Sequence, residues 1–71
     1  MTTTNALTLG SLRRAFGLTQ EELARRVGTH RVTVARWESG TNTPSLRQME
    51  QIARALNVPL QLIVEALKVS A

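Results

Sequence analysis

Apolar residues in this chain recur three and four positions apart, in short runs broken by glycine, asparagine or proline. That period predicts five helices and no strand. The first covers about Asn5 to Phe16, with Leu9, Leu12, Ala15 and Phe16 as its apolar stripe, and Gly17 ends it. The second opens at Thr19, where Thr19 and Glu22 have capping-box spacing, and turns Leu23, Ala24 and Val27 inward. Gly28 supplies the positive φ of a sharp turn. The third runs from about His30 to Ser39 and stops at Gly40. After the polar loop Thr41 to Pro44, Ser45 and Gln48 cap a fourth helix reaching about Leu56, with Leu46, Met49, Ile52, Ala53 and Leu56 inside. Asn57 suits a left-handed helix end, and Pro59 the start of a fifth helix running to about Val69.

Seventy-one residues suit one domain, residues 1–71, with an ordered core over about 5–69 and a disordered threonine-rich start. A chain this small buries roughly 60% of the surface its unfolded form exposes, so modest stability is expected. There is no cysteine, hence no disulfide or thiolate metal site, and the one histidine, His30, has no second metal ligand at a useful spacing. No apolar run approaches the ~20 residues of a membrane span, and the N-terminus lacks the features of a signal peptide. The expectation is a cytoplasmic chain with no cofactor and no membrane partner. Nine Lys and Arg against five Glu give a net charge of +4, and the isoelectric point is about 11.5. Such a balance fits a nucleic-acid partner, although many small basic domains have none. Arg25, Arg26, Arg31 and Arg36 fall in a segment with no acid before Glu38.

The third helix is the informative one. At about 100° per residue, Val34, Trp37 and Glu38 share one side, while Val32 and Arg36 share the opposite side with Arg31, Thr33 and Ala35 at the flanks. The arginines alone could be ordinary solvated charges. A valine between them on the outward face fits that view poorly. DNA readout accounts for the set: arginine pairs bidentately with guanine, threonine bonds a base edge or a phosphate, and a small apolar side chain packs on a thymine methyl.

The runs LRRAFGLTQEELARRVG and VARWESGTNTPSLRQMEQIARALNVPLQLI resemble the lambda-repressor/Cro-like helix-turn-helix family, also called XRE, over roughly Leu9 to Val64. The resemblance implies a compact all-α bundle of five helices with the helix-turn-helix at the second and third. It also implies operator DNA as partner, usually bound by a homodimer. By position, it places Arg31, Val32, Thr33 and Arg36 on bases. It places Gln20, His30, Thr41, Asn42 and Thr43 on the DNA backbone, the loop acting through hydroxyl, amide and backbone N–H donors. For Gln20, His30 and the loop, the alternatives are a solvated first-turn residue, a surface turn residue and a plain linker. Histidine caps a helix poorly, so Thr29 is an alternative cap and the third helix start is open by one residue. Arg13 and Glu38 match a structural, partly buried salt bridge between the first and third helices. Trp37 matches a packing residue that seats the reading helix, its indole N–H near the DNA backbone.

In the fifth helix, Leu60, Ile63, Val64 and Leu67 make a core stripe, and Leu62, Ala66 and Val69 a second stripe nearly opposite. The second stripe reads as a dimer interface, the alternative being a frayed terminus with chance apolar residues. The favoured function is sequence-specific double-stranded DNA binding as a small transcriptional regulator of bacterial or phage type, with repression the favoured role and activation the open alternative. The rival is an antitoxin that holds a toxin-type protein partner with this face. An enzyme is poorly supported: there is no paired-carboxylate site, nucleophile–base set, phosphate-cradling glycine loop or metal cluster, and adjacent Glu21 and Glu22 point in different directions along their helix.

Overall fold

The computed structural model describes residues 7–70, with side-chain surroundings through Lys68. Its order is α1 (Leu9–Ala15), α2 (Gln20–Val27), α3 (Arg31–Ser39), α4 (Leu46–Leu56) and α5 (Leu60–Ser70), with no strand among the described residues.

Helix α1 starts later than its apolar pattern predicts. Thr8 is extended, its hydroxyl accepts the Ser11 N–H, and Ser11 Oγ accepts the Thr8 N–H at 2.9 Å. This reciprocal cap halts the helix at Leu9. The Asn5 end of the expected helix lies outside the described residues, as does the threonine-rich start. The α2 and α4 capping boxes form as their spacing predicts, from Thr19 and Glu22 and from Ser45 and Gln48. Asn57 adopts φ 55°, the left-handed conformation that asparagine tolerates at a helix end.

Helices α2, α3, α4 and α5 close around Leu9, Leu23, Val34, Trp37, Ile52, Leu56 and Ile63, with α1 laid across α3 and α5. Each of these side chains is at most 2% exposed, and burying a large apolar side chain is worth about 1.5–3 kcal/mol. The amphipathic pattern misplaces several positions. At the end of α1, Ala15 and the capping residue Phe16 face solvent, Phe16 at 45% exposure, while Arg13 is buried at 8%. The core residue supplied beyond Gly17 is Leu18. Leu46, at the first position of α4, is 62% exposed because the core begins one turn further in, at Met49.

The fifth helix corrects the expected partner face. Ala66 is fully buried within the chain. It lies about 60° around the helix from Ile63, inside the arc that meets the body, and its small side chain suits a close approach. The inward stripe is therefore Ile63, Ala66 and Leu67, with Leu60 and Val64 half-buried at its edge. Ala66 has no surface left for a partner. Leu62 is half-buried, and the side chain of Val69 lies outside the described residues.

Candidate nucleic-acid interface

The turn between α2 and α3 is built from backbone. Gly28 takes φ 83°, and the N–H groups of Gly28 and Thr29 both donate to the Ala24 carbonyl, at 2.9 and 2.8 Å. The chain then extends through His30, whose carbonyl accepts the Thr33 and Val34 N–H groups and opens α3. His30 thus occupies the capping position without a side-chain cap hydrogen bond, so the first-turn N–H groups of α3 lack that partner. Beside it, Glu21, Ala24, Arg25, Thr29 and Arg31 line a shallow cleft between the second helix and the start of the third.

Helix α3 is seated by Val34 and Trp37, 0% and 2% exposed. That burial makes Trp37 a packing residue and keeps its indole from the surface expected to meet DNA. The opposite face carries Val32 and Arg36, with Arg31 on its flank; all three are exposed, Val32 at 49%. Thr33 is half-buried on the flank. An exposed valine with exposed arginines on either side has the composition that base edges require.

Gly40, at φ 83°, ends the helix, and the N–H groups of Thr41 and Asn42 both donate to the Arg36 carbonyl, at 2.9 and 3.2 Å. Those two backbone donors are therefore engaged, against the expectation that they serve phosphates. The exposed side chains of Thr41, Asn42 and Thr43 remain as donors, with the Thr41 hydroxyl 2.8 Å from that of Ser39. The loop and the last turn of α3 are tied together at one carbonyl.

Behind the face lies a charged cluster. Arg13 Nε donates to Glu38 Oε2 at 2.6 Å and its Nη2 to Oε1 at 3.3 Å. Its Nη1 donates to the Leu18 carbonyl at 2.7 Å. The two side chains are 9% and 13% exposed, so the pair works with little solvent screening. Gln20, at the first position of α2, joins the cluster through Nε2, which donates to Glu38 Oε1 at 3.0 Å. The family resemblance also implies that a glutamine at this place braces the reading helix, but spacing gave no sign that Glu38 is the residue it meets. Glu22, further along the same turn, sits below the ordinary glutamate pKa. The Thr19 backbone N–H stabilises its carboxylate most, followed by the Thr19 hydroxyl, with smaller attraction from Arg25 and Arg26.

Among the described residues, no three His, Cys, Asp or Glu side chains are grouped to hold a metal ion, and no helix is long and apolar enough to cross a membrane. The chain matches the helix-turn-helix family over residues 9–63. It is 45% identical over 49 residues to an uncharacterized HTH-type transcriptional regulator of Archaeoglobus fulgidus, covering 69% of this chain and 70% of that protein. A protein of the same description from Methanothermobacter thermautotrophicus is 54% identical over 44 residues, 62% of this chain and 64% of the relative. Antitoxin HigA1 of Mycobacterium tuberculosis is 36% identical over 55 residues, 78% of this chain but 37% of its own length. No solved structure matches significantly. With a family match spanning most of its length and an exposed basic helix behind a glycine turn, the chain belongs to the helix-turn-helix family.

Proposed function

We propose that this chain reads duplex DNA with α3 in the major groove, Arg31, Val32, Thr33 and Arg36 meeting base edges. The chain is a DNA-binding transcriptional regulator of the helix-turn-helix family. The observation that carries the groove assignment is the division of α3: Val34 and Trp37 buried, Arg31, Val32 and Arg36 exposed on the other side. Gln20, His30 and the side chains of Thr41, Asn42 and Thr43 flank that surface as phosphate contacts. The same reading extends to repression by occupancy of a promoter and to a cytoplasmic, nucleoid-associated location.

Two chains acting as a homodimer fit two half-sites about 34 Å apart. Of the residues first assigned to that interface, Leu62 is the one that stays partly exposed among the described residues. A second reading, an antitoxin with a toxin-type protein partner, is supported by the similarity to HigA1. Of the face first assigned to such a partner, Leu62 is partly exposed, while Ala66 is buried within the chain.

Selection of bound sequences from random duplexes tests the proposal. A shared motif is expected, with log K falling against log salt by about 0.9 for each phosphate neutralised. Uniform recovery of all sequences would overturn base reading. Co-purification of a small partner protein from the source cells would favour the antitoxin reading.

A further inference from the structure

We propose that Glu38 is a positioning residue for DNA binding, which fixes the side-chain amide of Gln20 so that an N–H, and not a carbonyl, meets the phosphate. The inference rests on the DNA-binding reading above and assigns the buried cluster a part in it. An ionised carboxylate only accepts hydrogen bonds. Glu38 Oε1 therefore holds the Gln20 amide with its NH2 group inward, at 3.0 Å. Nε2 carries a second hydrogen about 120° from the first. A phosphate oxygen is likewise only an acceptor, so that second N–H is the part of the amide it can use. Freed from Glu38, the amide could turn over and offer its carbonyl oxygen, which repels a phosphate.

Two further observations show that the carboxylate itself is held in place. Arg13 grips Glu38 through Nε and Nη2 and is anchored by Nη1 to the Leu18 carbonyl, so the first helix braces the third. Gly10, buried in α1, leaves room for the same oxygen that meets Gln20: a Cβ there would lie 3.1 Å from Glu38 Oε1 and 3.2 Å from Arg14 Nη1. Three helices thus converge on one hydrogen bond at the start of α2. A salt bridge serving stability alone has no need of the Gln20 amide.

The test is a double-mutant cycle on the full chain, with affinity for a selected duplex measured under conditions where backbone NMR spectra show every variant folded. Gln20→Ala is expected to weaken binding about ten- to a hundredfold, as for one hydrogen bond to a charged group. Glu38→Gln is expected to weaken it by a similar factor, and the double variant to bind no worse than Gln20→Ala. Independent losses that multiply, or wild-type affinity in Glu38→Gln, would overturn the proposal while leaving DNA binding intact. Should Glu38→Gln fail to fold, Gly10→Ala displaces Oε1 with the ion pair retained. Its loss of affinity must then vanish in the Gln20→Ala background, and persistence there overturns the proposal. In the free wild-type protein, 15N relaxation should show the Gln20 side-chain amide as rigid as the backbone. A freely mobile amide overturns the positioning role even if DNA binds. Absence of any duplex binding by the wild type instead defeats the DNA reading, and this inference with it.

Discussion

Arg13 and Glu38, twenty-five residues apart in the chain, meet at 2.6 Å between Nε and Oε2 and join α1 to α3. The helix that carries the exposed Arg31, Val32 and Arg36 is thereby tied to an element far from it in sequence. Arg13 also binds the segment after its own helix, since its carbonyl accepts the Leu18 N–H at 3.1 Å while its guanidinium donates to the Leu18 carbonyl.

Arg13→Ala removes all three of those donors and leaves the Glu38 carboxylate with little water and without its cation. A loss of about 3 kcal/mol is expected, the lower end for breaking a buried pair because Glu38 keeps some exposure. Urea unfolding measures it. A change under about 0.5 kcal/mol would mean that the pair contributes no more than a surface ion pair.

Arg31→Ala and Arg36→Ala should each weaken binding to a selected duplex by about 1–3 kcal/mol and relax preference at one base pair. Titration against operator and random duplexes in parallel separates the roles. Equal losses on both would reduce these arginines to phosphate contacts.

Glu22 supplies a pH dependence. Its pKa in the folded chain is lowered, chiefly by the Thr19 N–H. The unfolded chain therefore binds the proton more readily, and the stability is fully present above the ordinary glutamate value. It is lost as pH falls through the lower folded value. In Glu22→Gln, the decline in Tm between about pH 5 and pH 3 should be shallower than in the wild type. Parallel curves would remove Glu22 from the acid sensitivity.

Core and surface leucine-type positions should separate sharply despite their shared apolar character. Ile52→Ala, at a fully buried site, should cost about 2–5 kcal/mol. Leu46→Ala, at 62% exposure, should fall within about 0.5 kcal/mol of wild type. Thermal or chemical unfolding of the two variants side by side checks the difference.

Leu62→Glu addresses assembly. If the half-buried Leu62 lies in a homodimer contact, the variant should sediment as a monomer and bind a two-half-site operator more weakly. Unchanged sedimentation and affinity would place the contact elsewhere or remove it.

Local rules determined much of this protein from its sequence. The capping pairs Thr19 with Glu22 and Ser45 with Gln48, the turn at Gly28 and the left-handed Asn57 each depend on neighbours a few residues away, so spacing alone reveals them. The outward face of α3 was legible for the same reason, because helical period fixes which side chains oppose Val34 and Trp37. Exposure of Phe16 and Leu46, burial of Ala66, and the grip of Glu38 on Gln20 were decided only in three dimensions. Period tells which residues share a side of a helix; where neighbouring helices end, and how closely they approach, tells how much of that side is covered. A hydrogen bond between side chains eighteen residues apart leaves no periodic trace, since it exists only once the turn at Gly28 has set α2 against α3.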